Sequence, residues 1–161
     1  MNAIEILNSM VGHAILKIVG GVGSTELLFF LDDARVVTFT HSQNCCEYVS
    51  IDDIVGDMND LLGEPLLVAE ETSSADAQPP EGTDPESYTW TFYRFRTHLG
   101  SVDMRWYGSS NGYYSEGVDV DVRMLDIHEF IMMLEEIIDA TGSEARTGLA
   151  AQEQQAEGPP Q

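Results

Sequence analysis

Short stretches in which apolar and polar side chains alternate recur along most of the chain. In the clearest of them, valines at every second position from Val118 to Val122 alternate with charged residues. Such alternation is typical of a strand with one buried and one solvated face. Strands rich in β-branched and aromatic residues are predicted at 13–18, 26–31, 35–41, 45–50, 65–72, 88–97, 101–107 and 113–125.

Two segments repeat their apolar residues with the period of a helix instead. An internal helix is predicted over 51–62, where a serine precedes the apolar stripe and Gly63 follows it. A C-terminal helix is predicted over 126–140, where Asp126 and Glu129 match a capping box. The expected fold is α+β: a mainly antiparallel sheet of about seven to eight short strands, with one internal helix and one C-terminal helix.

The length of the chain, 161 residues, suits one domain. We expect a single α+β domain over residues 1–141. Within it, the acidic, proline-containing segment 73–87 has almost no large apolar side chain and is predicted to be a flexible loop. Residues 142–161 are small and polar, end in Gly-Pro-Pro-Gln, and are predicted to form a disordered tail.

The net charge of the chain limits the kinds of molecule that it is expected to bind. Acidic residues outnumber Lys and Arg by 28 to 7, which gives a net charge of −21. Such a surface repels nucleic acid phosphates and anionic lipids, so neither is expected as a partner. The N-terminus, Met1 to Glu5, lacks the basic start and apolar stretch of a signal peptide, and no apolar run reaches the length of a membrane span. A cytoplasmic location is therefore expected.

The segment 88–125 differs from the rest of the chain because its charges balance. It contains four of the seven basic residues and only four acidic ones. Strand alternation puts Trp90, Phe92 and Arg94 on one face of the first predicted strand. It puts Asp103, Arg105 and Tyr107 on one face of the next. Aromatic planes beside guanidinium groups suit a ligand that stacks and carries phosphate. The alternative is that these aromatic residues are simply core.

The loop that follows, 108–116, offers glycines, hydroxyls, an amide and phenols, the residue types that binding loops use. Its candidate ligand contacts are Ser110, Asn111, Tyr113, Tyr114, Ser115 and Glu116. Asn-Gly is also an ordinary turn signal, so a purely structural turn is the alternative.

Cysteine and histidine residues do not form a recognisable metal or catalytic motif. Cys45 and Cys46 are adjacent, and on an extended chain their side chains point to opposite faces, so we expect buried, unpaired thiols. The spacing of His41 and the two cysteines matches no standard zinc module. Phosphate-binding, dinucleotide-binding, hydrolase and metalloprotease motifs are not found. We therefore expect no metal, no cofactor and no catalytic residue.

Several motifs occur in an order that resembles a small family of phage and prophage proteins catalogued as a domain of unknown function. The resemblance runs from about Gly12 to Val120; the C-terminal helix and tail are additions, and the loop at 73–87 is unusually long and acidic. The motifs are Cys45-Cys46-Glu47, the acidic segment 51–62, Ala69-Glu70-Glu71, Ser87 to Tyr93, Arg105-Trp106-Tyr107-Gly108 and Ser110 to Glu116.

The chain is also similar to viral sponge proteins, which sequester cyclic nucleotide alarm signals and so blunt bacterial anti-phage defences. The resemblance implies a non-enzymatic protein of the host cytosol that binds a small nucleotide. A homo-oligomer is expected because the segment 88–118 holds more aromatic side chains than one hairpin face can bury, and because the amphipathic C-terminal helix can pack across a two-fold axis. The alternative from composition is an acidic interaction module or DNA mimic that inhibits a basic host protein. The positions that match the family's motifs are Cys45, Cys46, Glu47, Trp90, Arg105, Trp106, Asn111, Tyr113, Tyr114, Ser115 and Glu116.

Overall fold

The structure is a computed structural model that describes residues 1–74 and 77–144 in full and the helical backbone of 145–156. Residue contacts divide the chain into two compact units, Met1–Met124 and Leu125–Gln161. The predicted boundary at residue 141 is not where the contacts divide the chain. The first unit contains helix α1 (Ala3–Met10) and strands β1 (Ile15–Val19), β2 (Glu26–Leu31), β3 (Arg35–Thr40), β4 (Tyr48–Val55), β5 (Val68–Ser74), β6 (Ser87–Arg96), β7 (Ser101–Ser110) and β8 (Asp119–Met124).

The eight strands form two four-stranded antiparallel sheets. The first sheet has the order β1-β2-β3-β8 and the second has the order β4-β7-β6-β5. The predicted α+β class with a mainly antiparallel arrangement is confirmed, as are the strand assignments over 26–31 and 35–40. In β8, Val120 is buried while Asp119 and Asp121 are exposed, as the alternation predicts.

The core lies between the two sheets and is rich in aromatic residues. The ring of Phe29 in β2 contacts that of Phe95 in β6 edge-on, with centroids 4.9 Å apart. Phe39 in β3 meets Tyr93 in β6 in the same way at 5.0 Å. These pairs join the inner faces of the two sheets, and helix α1 adds buried apolar side chains to the same core: Ile6, Leu7 and Met10.

The internal helix predicted over 51–62 is wrong. Strand β4 continues to Val55, and only a single 3-10 turn, Met58–Leu61, follows. The segment is rich in β-branched residues, which suit a strand. The backbone of Ile51 is also hydrogen-bonded to Gly23 and Ser24 of the β1–β2 connection, so the tertiary partner decides the structure. A bulge between Ile51 and Asp53 produced the misleading helical spacing.

The structure contains a helix, α1, that the sequence analysis did not predict. Its start carries a full capping box, in which Asn2 accepts from the amide of Glu5 at 2.9 Å and the Glu5 carboxylate accepts from the amide of Asn2 at 2.8 Å. The helix has only eight residues, too few for a convincing apolar stripe. The capping box was therefore the sequence signal that could have indicated this helix.

The second unit is dominated by helix α2, Ile127–Ala156. The predicted cap is confirmed, since Asp126 accepts from the amide of Glu129 at 2.8 Å and Glu129 accepts in return at 2.9 Å. The predicted end at Gly142 is wrong, because the helix continues through it. An internal glycine costs only about 1 kcal/mol, and alanine, glutamate and glutamine, which favour helix, dominate the residues beyond it. Part of the predicted tail is thus helical, and residues 157–161 lie outside the described residues.

No helix in the described part of the chain is both long enough and apolar enough to cross a membrane.

Candidate functional site

The second sheet has an outer face, defined here as the face that points away from the core. The strand pairing places Phe92 of β6 opposite Arg105 of β7, and Arg94 opposite Asp103. Arg94 and Arg105 are exposed and Phe92 is half-buried, whereas Tyr93 and Met104, their neighbours in sequence, are buried in the core. The faces predicted from alternation are therefore confirmed for both strands.

Arg105 is held on this face by two contacts. Its Nε donates to the Asp52 carboxylate at 2.6 Å, and its guanidinium lies over the Trp90 ring at 5.1 Å. The bulge in β4 presents Asp52 to β7. The Arg105 side chain stays 48% exposed, and its Nη atoms make no hydrogen bond to any described residue. A guanidinium held through Nε keeps its terminal fork free for an anion.

Arg94 on β6 is also held through its Nε atom, by a residue of β7. Its Nε donates to Asp103 at 2.7 Å, and its Nη atoms also have no hydrogen-bond partner in the described ranges. The hydrogen bond and the charge of Asp103 raise the pKa of Arg94, with a smaller contribution from Glu70 on β5. The side chain is 59% exposed, so solvent screens its ion pair with Asp103 and the pair adds little to stability.

A cavity of about 420 Å³ opens on the outer face. That volume falls in the range of small-molecule sites. An aromatic ring, two guanidinium groups and several carboxylates line it, contributed by Phe92, Arg94, Arg105, Asp53, Glu70 and Asp103. Asp52, Asp53, Glu70, Phe92 and Asp103 are absent from the sequence-predicted site. Alternation already placed Phe92 and Asp103 on this face, whereas the mistaken helix concealed Asp52 and Asp53.

Next to the cavity, three aromatic rings form a second patch of the outer face. Trp90 and Tyr107 have ring centroids 4.8 Å apart, and Tyr88 stacks on Tyr107 at 6.4 Å. The loop predicted to be flexible covers this patch: the Trp90 indole donates to the Gln78 carbonyl at 3.1 Å, and Thr83 bonds to Tyr107. Burial raises the pKa of Tyr107 despite that bond. Residues 75 and 76 of this loop lie outside the described residues.

Glu47, a predicted ligand contact, is buried beneath the loop that precedes β4. Its carboxylate accepts from the amides of Asn44 at 2.5 Å and Cys45 at 3.0 Å, and from His41 Nε2 at 3.0 Å. Burial alone would raise the pKa of Glu47, but these hydrogen bonds outweigh it and lower the pKa to about 2. The second His41 nitrogen bonds to the Gly117 carbonyl at 2.8 Å, so His41, oriented by Glu47, joins this loop to the loop after β7.

Glu116 has the same structural role in the loop after β7. Its carboxylate accepts from the hydroxyls of Ser110 at 2.6 Å and Thr89 at 2.9 Å. The loop tip is exposed: Asn111 accepts from the amide of Tyr113, whose side chain is 84% exposed and contacts Tyr114 edge-on.

The remaining predicted contacts divide between that loop and the core. Ser115 accepts from the amide of Gly117 at 3.4 Å. Trp106 is fully buried between the sheets and does not reach the outer face. The structure thus brings Trp90, Arg94, Arg105 and Tyr107 together, but it places the cysteines, Glu47 and the loop 110–116 elsewhere.

Cys45 and Cys46 form a disulfide, which contradicts the expected unpaired thiols. Both residues are exposed, so the expectation of burial is also wrong. The expectation assumed an extended chain from residue 45, whereas β4 begins only at Tyr48 and the cysteines lie in a bend fixed by Glu47.

One group of potential metal ligands occurs in the parts of the chain that the structure describes. His13, Asp32 and Asp33 bring three ligand atoms within 4.8 Å of one another. Arg35 donates to Asp33 at 2.7 Å and His13 is hydrogen-bonded to Asp32 at 2.9 Å, so contacts within the protein already engage these groups. We read the group as a structural hydrogen-bond network at the β2–β3 turn.

Comparison with known proteins identifies the family of the chain. No curated protein and no solved structure shows significant similarity to it. The sequence profile of a domain of unknown function, DUF7448, matches residues 8–120, which include every strand of both sheets up to the start of β8. The chain therefore belongs to the DUF7448 family.

Proposed function

We propose that this chain is a phage counter-defence protein that binds a cyclic nucleotide immune signal without converting it. It would act in the cytosol of the infected bacterium, where binding withholds the signal from its receptor. The observation that carries the proposal is the pair of arginines beside Phe92. Both guanidinium groups are anchored through Nε, and both line one cavity with an aromatic ring.

This arrangement matches the two chemical parts of a nucleotide. A base can stack on Phe92, because every base has a π-face, and such stacking is worth about 1–3 kcal/mol. A phosphate can accept from the terminal fork of Arg105, directly across the strand pair from Phe92. The Trp90 ring and Asp52 fix the orientation of that fork before binding, which lowers the entropy cost of recognition.

Charge limits which nucleotides fit. The cavity lining contributes two guanidinium groups but three carboxylates, those of Asp53, Glu70 and Asp103. A ligand with many phosphates would be repelled, whereas one with few phosphates and several N–H or O–H donors would be accommodated. A cyclic nucleotide, whose phosphates are diesters with one charge each, is in the second group.

The test is calorimetric titration of Arg105→Ala with a panel of cyclic mono- and dinucleotides. Loss of a charge-assisted contact should cost about 2–5 kcal/mol, a weakening of about 30-fold or more. Arg105→Lys should restore only part of the affinity, because lysine cannot form the fork. The melting temperature should fall little, since an exposed pair with Asp52 contributes about 0–1 kcal/mol.

Arg96→Ala is the matched control. Arg96 is exposed on the same face of β6 but does not line the cavity, so its loss changes the net charge equally. If both variants weaken binding alike, the effect is general electrostatics. If Arg105→Ala keeps its affinity, the site is misplaced. Recovery of the nucleotide chemically altered after denaturation would contradict binding without turnover.

A second candidate function is inhibition of a basic host protein by an acidic surface. The excess of carboxylates on the outer face and the net charge of −21 favour it. Anion exchange followed by denaturation of the peak separates the two functions. A released nucleotide absorbing at 260 nm supports nucleotide binding, whereas a co-purified basic protein released by salt supports the second function.

We also propose that the protein is a homo-oligomer. Helix α2 carries large apolar side chains that are strongly exposed in its own unit, with Ile127 79% and Ile138 68% accessible and Ile131 on the same side of the helix. An exposed apolar stripe of this kind suits packing across a two-fold axis. Sedimentation equilibrium at micromolar concentration should show a dimer or higher species; a monomer would contradict the proposal.

A further inference from the structure

Three neighbouring strands of the second sheet each contribute one chemical group to a row across the outer face. Arg105 on β7 is paired in register with Phe92 on β6, and Phe92 is paired in turn with Thr72 on β5. Adjacent strands are about 4.8 Å apart, so the row spans about 10 Å. That length matches a nucleotide whose phosphate lies at β7, whose base lies over β6, and whose base edge points toward β5.

Glu70 lies beside the end of this row that β5 forms. It precedes Thr72 by two residues on the same face of β5 and is paired in register with Arg94. Its side chain is exposed and lines the cavity. The next residue, Glu71, faces the other way and accepts from the Tyr93 hydroxyl at 2.6 Å. Because side chains alternate along a strand, Glu71 is used in a hydrogen bond within the protein, whereas Glu70 faces the cavity.

Glu70 also differs from the other carboxylates that line the cavity. Asp103 accepts from Arg94 Nε, and Asp53 accepts from the amide of Ile54 at 2.9 Å. In residues 1–74 and 77–144, Glu70 accepts no hydrogen bond and interacts only electrostatically with Arg94. Both of its oxygens are thus open acceptors.

Building on the proposed nucleotide site, we propose that Glu70 selects nucleotides that carry guanine. The N1–H and N2–H groups of guanine lie side by side and match the two oxygens of one carboxylate. Adenine and cytosine present an amino group beside an acceptor nitrogen, and uracil presents one N–H between two carbonyl groups, so each places an acceptor against the carboxylate. A site built to accept hydrogen bonds discriminates strongly against ligands that lack the donors.

The experiment is calorimetric titration with four probes: the 5′-monophosphates of guanosine, inosine, adenosine and uridine. The wild-type chain should bind the guanosine probe about tenfold or more tightly than the uridine probe. Inosine, which keeps N1–H but lacks the N2 amino group, should fall between them. In Glu70→Gln the preference for guanosine should shrink to within about threefold, while binding of the uridine probe stays equal or improves because a negative charge is removed.

Glu26→Gln is the control, since Glu26 is an exposed carboxylate on β2 of the first sheet and its loss changes the net charge equally. It should keep the wild-type preference. If the wild-type chain binds all four probes with no preference, or if Glu70→Gln keeps the preference, the selection by Glu70 is overturned while the nucleotide site stands. If none of the probes and none of the cyclic nucleotides binds, the site itself is refuted and the selection with it.

Discussion

Glu47 and Glu116, which the sequence alone indicates as ligand contacts, are buried carboxylates in the structure. Glu47 accepts hydrogen bonds from two backbone amides and from His41, and Glu116 accepts from two hydroxyls. A buried carboxylate without partners would be costly, so both loops are built around these acceptors. The motifs that contain these two residues thus stabilise loop structure, and the candidate binding groups lie elsewhere on the outer face.

The lowered pKa of Glu47 predicts a specific dependence of stability on pH. The ordinary pKa of a glutamate is 4.5, and the folded state lowers it to about 2. Folding therefore favours the ionised form, and this stabilisation is complete above pH 4.5 and disappears as the pH falls toward 2. Glu47→Gln should melt several degrees below the wild-type chain at pH 6, and the difference should narrow steadily from pH 4.5 to 2.5.

Differential scanning calorimetry between pH 2.5 and 7 measures this difference, with Glu26→Gln as the control for loss of one negative charge. The control should follow the wild-type curve within about 0.5 kcal/mol, since Glu26 is exposed. A Glu47→Gln curve that runs parallel to the wild-type curve at every pH would show that ionisation of Glu47 does not contribute to folding.

The residue scale also shows what sequence reasoning can achieve. Alternation correctly separated Trp90, Arg94 and Arg105 from the buried face of their strands, because side chains in a strand point to opposite faces at every step. It could not reveal that Arg105 is paired with Asp52, since that contact joins residues 53 positions apart. Motif similarity could not show that Trp106 lies in the core, because it does not distinguish a core aromatic residue from a surface one.

At the scale of elements, β4 shows how a bulge can imitate helical spacing. The extra residue between Ile51 and Asp53 shifts the apolar side chains after it by one position. Ile51 faces the core, and its successors Ile54 and Val55 then follow at helix-like intervals. Sequence patterns cannot exclude a helix here, because the deciding hydrogen bonds come from the distant residues Gly23 and Ser24.

The strand assignment makes Ile51 the critical apolar residue of this segment. Ile51 is 1% exposed within the core cluster, so Ile51→Ala should lower the free energy of unfolding by about 2–5 kcal/mol. Val55 is 62% exposed at the end of the strand, so Val55→Ala should change it by less than about 0.5 kcal/mol. Urea denaturation measures both values. Equal losses would argue for a helix that buries both residues.

The two helices show that the start of a helix is easier to recognise in a sequence than its length. Local signals mark a helix start well, as the caps of α1 and α2 do, because capping involves only residues three positions apart. The length of a helix depends on more residues than its start does. A single Gly142 does not end α2, because the good helix formers that follow it compensate for the cost of one glycine.

At the scale of the whole molecule, the net charge of −21 opposes the compact state through self-repulsion. Raising NaCl from about 0.05 to 0.5 M shortens the screening length to a few ångströms. The melting temperature of the chain should rise by about 2–4 °C, which corresponds to about 1 kcal/mol. KCl should have the same effect, because screening depends on ionic strength. A flat or falling melting temperature would show that repulsion does not limit stability.

The order of strands in the two sheets is the least predictable feature of the molecule. Neighbouring hairpins such as β2–β3 and β6–β7 follow from short connections. The pairings of β3 with β8 and of β4 with β7 join distant parts of the chain, and alternation is the same for any partner. The cavity depends on the second of these pairings, so its carboxylate from β4, that of Asp53, could not be anticipated.

The two tryptophans, Trp90 and Trp106, are intrinsic fluorescent probes of two different parts of the protein. Trp106 is completely enclosed, and its indole nitrogen has no partner among the described residues, so its emission reports the integrity of the core. Trp90 lies beneath the guanidinium of Arg105, which lines the cavity, so its emission senses events on the outer face. Replacing one indole at a time by phenylalanine therefore separates unfolding from ligand capture in a single fluorescence experiment without any attached dye.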